Sequence, residues 1–214
     1  MRIVAITDRR RMVTAELLAS GDAPAIAEAF GAAVARAVTQ LAPDEPIVQI
    51  REKDLDGAPL LELVRAAMAS GAPVMVNDRV DVALAAGAYG VHLPERGMTV
   101  AMARALGPAL VIGVSCHSID AVRRAGEAGA DLVQLGPIWR TPGKAEPLGS
   151  LALQGARAVL RSGARLVAVG GIETRARLDD ALRNGADAVA AIRGVWSGSL
   201  APAATWRPAT HAPG

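Results

Sequence analysis

Residues 49–53 read Gln49-Ile50-Arg51-Glu52-Lys53, so an amide and two cations fall at every second position. On an extended strand such residues share one face. A guanidinium placed there can grip a phosphate through two parallel hydrogen bonds, and an ammonium adds a point charge. The competing reading is a surface network pairing Arg51 with Glu52 and Lys53 with Asp54. Asn77 and Asp78 close a second apolar run. A carboxylate at the end of a buried strand needs a cation, and Mg²⁺ held by one or two carboxylates plus substrate phosphates is one such arrangement. Alternatively, Asp78 caps a helix starting near Val80. The third stretch, residues 136–149, holds three Pro and three Gly, which exclude a regular helix or central strand. A loop this long inside a compact domain is usually functional. Its Arg140, Thr141 and Lys144 suit an anionic ligand; otherwise they are incidental charges on a solvated connection.

Gly170-Gly171 and the turn at Ile192, Arg193 and Gly194 form a further candidate. Glycines let backbone N–H groups approach a phosphate closely, and a helix N-terminus adds partial positive charge. Paired glycines can also simply make a tight turn. His92, Cys116 and His117 match no zinc spacing, and Cys116 lacks a local nucleophile signature. Cys116 is read as structural, the role of His117 stays open, and Asp120 is expected to cap the helix that follows.

The elements that carry these residues repeat. Gly71, Gly87, Gly129, Gly163 and Gly185 each precede Ala and then a short β-favouring run, and each follows an Ala/Leu-rich segment with helical spacing. Glycine directly after a helix is the common left-handed cap. A short apolar run without strict alternation reads as a strand buried on both faces. Helix, glycine and buried strand in repetition signify parallel βα units. The pattern predicts eight strands at residues 2–7, 46–51, 73–77, 89–93, 110–115, 131–135, 165–169 and 187–192. Helices are expected at 23–41, 58–70, 80–86, 100–106, 119–128, 151–162 and 175–184. Eight units of about 25 residues fit a single (β/α)8 TIM barrel over residues 1–196. Residues 197–214 read as a short ordered stub and a loose Ala/Pro-rich tail. A doubly wound open sheet would carry a Gly-rich fingerprint after its first strand, where this chain has Thr7-Asp8-Arg9. In a barrel, ligands bind at the strand C-termini, where the polar candidates above all lie.

Composition narrows the partners. A net charge of +2 gives no nucleic-acid footprint despite a pI of 9.2. One cysteine in 214 residues cannot form an internal disulfide, which fits a cytoplasmic protein. No run of about 18 apolar residues predicts a membrane span. Phosphorylated small molecules are the expected partners, with a homo-oligomer compatible with the sequence.

Seven segments in order, each at a strand end, are similar to one family. They are Ala5-Ile-Thr-Asp8, Gln49-Ile-Arg-Glu-Lys53, Asn77-Asp-Arg-Val-Asp81, Gly90-Val-His-Leu93, Gly113-Val-Ser115, Gly136-Pro-Ile-Trp-Arg-Thr-Pro-Gly-Lys144 and Ala168-Val-Gly-Gly-Ile172. Together they resemble the thiamine phosphate synthase and thiazole tautomerase superfamily. The synthase branch implies joining hydroxymethylpyrimidine diphosphate to thiazole phosphate with loss of diphosphate. The resemblance implies that Arg51, Lys53, Asn77 and Lys144 hold the diphosphate, with Gln49 also binding substrate. It implies Asp78 as a Mg²⁺ ligand, Ser115 against the leaving group and Thr141 seating it. Gly170, Gly171, Ile192 and Arg193 would hold the thiazole phosphate. Lys144, Ser115 and Arg51 are then the candidate catalytic groups, and the loop bearing Lys144 is expected to close over the diphosphate. The chain departs from the pattern twice. Gly97 stands where the synthase branch has a second Mg²⁺ carboxylate, for which Glu95 is the nearby substitute. Pro137 stands where the tautomerase branch has its histidine, which leaves His117 or Glu95 as the proton shuttle of that reading. A third reading is a barrel that binds phosphorylated ligands without turnover.

Overall fold

The computed structural model describes residues 1–161 and 163–202. Position 162, the end of the sixth expected helix, and the tail from 203 lie outside the described residues.

Eight parallel strands close into a barrel in sequence order: β1 (Ile3–Ile6), β2 (Ile47–Ile50), β3 (Val74–Asn77), β4 (Gly90–Leu93), β5 (Val111–Cys116), β6 (Leu132–Leu135), β7 (Arg165–Val169) and β8 (Ala188–Ala191). The last pairing joins β8 back to β1, with Ile3 beside Val189 and Ala5 beside Ala191. The (β/α)8 expectation holds, and each strand lies inside its expected span or, for β5, one residue beyond it.

The helices are α1 (Arg9–Met12), α2 (Ala15–Ser20), α3 (Ala23–Gln40), α4 (Gly57–Met68), α5 (Val80–Ala86), α6 (Val100–Leu106), α7 (Ile119–Glu127), α8 (Ala152–Val159), α9 (Arg175–Arg183) and α10 (Arg193–Trp196), with a 3-10 turn at Ala42–Asp44. The short α1, α2 and α10 were not expected, because four to six residues are too few to display a helical period. Helix α3 shows why the long ones form. Asp22 caps its first turn, and Phe30, Ala33, Val34 and Ala37 turn one stripe inward. Helix α7 corrects an expectation. Ser118, not Asp120, accepts from the Ala121 amide, because Ser118 has the extended backbone a cap requires and Asp120 is already helical. Asp120 instead pairs with Arg123 and Arg124.

Two apolar layers result. The larger lies between strands and helices and includes Phe30, Val64, Ile112, Leu153 and Leu178. The smaller fills the lower barrel with Val4, Ile6, Ile47, Met75, Leu132, Val167, Ala188 and Ala190. Beyond α10, residues 197–202 pack back onto the barrel. Leu200 is fully buried, and its carbonyl accepts from Arg175.

Candidate active site

Side chains alternate along a strand, so the positions two beyond the lower apolar layer point into the same barrel interior. There β2, β3, β4, β5 and β6 present Gln49, Asn77, His92, Ser115 and Gln134. These five form a polar floor over the apolar layer. The Gln134 amide donates to the Gln49 carbonyl oxygen at 2.8 Å, and the Gln49 amide reaches Asn77 at 3.4 Å. His92 Nε2 lies 2.8 Å from Ser115 Oγ. Burial holds the His92 imidazole neutral, with its pKa pushed down to about 3, and the Arg51 charge acts in the same direction. The sequence reading missed Gln134 as a site residue. Its signal was a lone amide inside the apolar run Leu132–Leu135.

Above the floor opens a cavity of about 490 Å³ at the C-terminal ends of the strands. Gln49, Arg51, Lys53, Asn77, Asp78, Glu95, Ser115, Thr141, Lys144, Gly170, Gly171, Ile192 and Arg193 all line it. The expected site residues are therefore brought together. Arg140 is the exception: it is exposed and does not line the cavity.

The surface-network reading of residues 51–54 fails. Glu52 and Asp54 are both taken by Arg9, and Asp54 also pairs with Arg10. Burial raises the Glu52 carboxyl, while the hydrogen bonds from Thr7 and Arg9 oppose that shift. Among the described residues Arg51, Lys53 and Lys144 have no ion-pair partner. Arg193 differs, since Glu173 holds its guanidinium at 2.6 Å.

The capping role for Asp78 also fails. Arg79 occupies the cap position of α5 without a capping side-chain hydrogen bond, and Asp78 is exposed with φ of 65°. Its carboxylate faces Gly97, where an added Cβ would stand 4.0 Å from Oδ1. Glu95 is engaged by the His117 ring at 2.5 Å. No group of three or more His, Cys, Asp or Glu side chains that could hold a metal occurs among the described residues. Cys116 is buried, and burial raises its thiol to about 12, which fits the structural reading.

The long loop is fastened at both ends. The Ile138 and Trp139 amides donate to Val169 and Gly170, and the Leu148 and Gly149 amides donate to Pro137 and Ile138. Thr141 Oγ1 donates to the Trp139 carbonyl, and the Lys144 amide closes a turn onto Thr141. Gly170 and Gly171 have φ of 98° and 68°, and a Cβ on either would come within 2.7 Å of Pro137 or Trp139. Their absence of side chains is thus needed for the loop to pack as well as for access to the cavity. Trp196 Nε1 donates to the Ile6 carbonyl at 2.7 Å and pins α10 against β1, which fixes the Ile192–Arg193 turn.

A family model described as thiamine monophosphate synthase matches residues 23–195. The chain belongs to the thiamine monophosphate synthase family. A thiamine-phosphate synthase of Chloroflexus aurantiacus is 39% identical over 154 residues, covering 70% of this chain and 71% of its own. One from Albidiferax ferrireducens is 37% identical over 190 residues, covering 86% and 82%. Among solved structures, thiamine phosphate pyrophosphorylase from Pyrococcus furiosus superposes with a TM-score of 0.71 at 25% identity, covering 93% and 92%. The family match covers the cavity-lining residues from Gln49 to Arg193. No helix of the described residues is long and apolar enough to cross a membrane.

Proposed function

We propose that this member of the family is a thiamine phosphate synthase. It joins hydroxymethylpyrimidine diphosphate to thiazole phosphate and releases diphosphate. The observation that carries the reading is Arg51, a half-buried residue at the cavity wall with no carboxylate partner among the described residues, while Arg9 beside it holds two. A partly buried cation without a counter-ion favours an anionic ligand.

The bond between the pyrimidine methylene carbon and the diphosphate oxygen breaks, and its electron pair leaves with diphosphate. The thiazole nitrogen then supplies the pair that forms the new C–N bond. Arg51, Lys53 and Lys144 stand as fixed positive charge where negative charge develops on the leaving oxygens. Asn77 and the Ser115 hydroxyl add polar contacts, and Gln49 helps seat the pyrimidine half. Thr141 sets the turn that presents Lys144. The loop segment between the two anchors closes over the diphosphate and excludes water from the reacting carbon. Gly170, Gly171 and the Ile192–Arg193 turn take the thiazole phosphate, with Arg193 exchanging Glu173 for the phosphate.

The donors fit Mg²⁺ that arrives with the substrate. Among the described residues Asp78 is the one carboxylate lining the cavity without an ion-pair partner, beside the Gly97 gap, and Mg²⁺ often takes one or two carboxylates plus phosphate oxygens. When bound it neutralises charge on the diphosphate. Calorimetry with inorganic diphosphate, with and without Mg²⁺, tests this together with turnover. Joint uptake of metal and diphosphate with product formation supports the synthase, and uptake without turnover supports a non-catalytic binder.

A second reading, thiazole phosphate tautomerase, is favoured by the His117–Glu95 pair at the cavity wall. Against it, the wall position expected to hold a histidine is Pro137, which has no proton to transfer. A tautomerase would act without diphosphate or Mg²⁺.

A further inference from the structure

His92 is 1% exposed, and its Nδ1 has no hydrogen-bond partner among the described residues. The space beside Nδ1 is made by Gly113: a Cβ there would come within 2.5 Å of Nδ1 and 3.3 Å of the Met75 methyl. Neither neighbour places an acceptor within hydrogen-bond reach of Nδ1. A neutral imidazole carries one proton, on Nε2 or Nδ1. On Nδ1 it would be a buried donor without an acceptor. On Nε2 it is used, in the 2.8 Å bond to Ser115 Oγ, and Nδ1 is left as a bare acceptor. Orphaned buried N–H groups are the rarer of the two outcomes.

We infer that His92 is a positioning residue: its Nε2–H donates to Ser115 Oγ, which leaves the Ser115 hydroxyl hydrogen free to donate into the cavity toward an anionic substrate oxygen. Ser115 makes no other side-chain hydrogen bond among the described residues and lines the cavity. The opposite tautomer would turn that hydrogen back onto the ring and present lone pairs to an anion. One buried proton therefore sets whether Ser115 greets a phosphate as donor or as acceptor. The catalytic part of this inference rests on the synthase reading, whereas the tautomer does not.

Two measurements test it. In protein labelled with ¹⁵N-histidine, ring-nitrogen shifts report the protonated atom, and His92→Gln assigns the signal. Protonated Nε2 with bare Nδ1 is expected, and a proton on Nδ1 overturns the inference even if no substrate is ever turned over. For the kinetic arm, His92→Leu should lower kcat about tenfold with KM for both substrates within about twofold. The double variant His92→Leu/Ser115→Ala should be no slower than Ser115→Ala alone, because the two residues act as one unit. His92→Gln, whose amide N–H can replace Nε2–H, should recover most of the rate. Multiplying losses, or a folded His92→Gln as slow as His92→Leu, would contradict the role. Absence of any wild-type synthase activity would overturn the proposed function while the ring shifts still decide the tautomer.

Discussion

Gln134 on β6 donates to Gln49 on β2 at 2.8 Å across the barrel interior, although the two strands share no backbone ladder. Both side chains are buried, so neither can replace the other with bulk water. Gln134→Leu would leave the Gln49 oxygen without its donor, at a cost of about 1–3 kcal/mol. It would also free Gln49 to rotate, raising KM for the pyrimidine diphosphate several-fold with less change in kcat. Urea denaturation and steady-state kinetics on the same preparation check both effects.

At the opposite end of the barrel, Asp131 accepts from the Ile112 amide and from Arg104, each at 2.7 Å. Two units later Asp187 accepts from the Leu166 amide at 2.7 Å and from Arg157. Each aspartate ties the start of one strand to the start of the next and to a helix. Asp131→Ala and Asp187→Ala should each cost about 1–3 kcal/mol, since each leaves a strand amide unpaired. The pairs share no partner, so the losses should add within about 0.5 kcal/mol. Activity per folded molecule should be unchanged, because the clamps lie away from the cavity. Denaturation of the singles and the double, with activity at low denaturant, tests this.

His92 gives stability a pH dependence. Its folded pKa is depressed from 6.5 to about 3 by burial, so below 6.5 the unfolded chain takes up a proton that the folded chain refuses. Unfolding is thereby favoured as pH falls, by about 1.4 kcal/mol per pH unit across that window. The contribution is fully present above 6.5. Relative to wild type, His92→Gln should lose less stability between pH 7.5 and pH 5. Identical pH slopes for the two proteins would refute the assignment.

Lys144 is exposed, in the loop segment between the two anchors. Lys144→Ala should lower kcat by about 10²-fold, roughly 3 kcal/mol of transition-state stabilisation. The melting curve should hardly move, because an exposed, unpaired lysine contributes little to the fold. Single-turnover rates beside a thermal melt separate the two. Full activity, or a lower melting temperature with normal activity per folded molecule, would exclude the role.

The barrel was legible because glycine-capped helices and two-face-buried strands leave a repeated imprint; Gly87 indeed caps α5 with a left-handed backbone. Arg51 and Lys53 were legible as cavity-lining cations because they alternate with Gln49 past the end of β2, and Lys144 because it lies in the long loop after β6. What escaped depended on contacts distant in sequence. Gln134 needs Gln49, 85 residues away, to become part of a floor. Glu52 and Asp54 looked available to their neighbours until α1 delivered Arg9. The glycines after β7 read as phosphate-binding, yet the loop after β6 packs on them as well. Arg140 read as a site cation because chain position cannot tell which loop residues turn inward.

The most direct measurement follows both products of one turnover. Purified protein with hydroxymethylpyrimidine diphosphate, thiazole phosphate and Mg²⁺ should form thiamine phosphate and diphosphate in equal amounts. Omitting either organic substrate should abolish thiamine phosphate, and Arg51→Ala should slow its formation by about 10²-fold or more. Folded protein that forms no thiamine phosphate across metals and pH, or an Arg51→Ala variant as fast as wild type, would contradict the account.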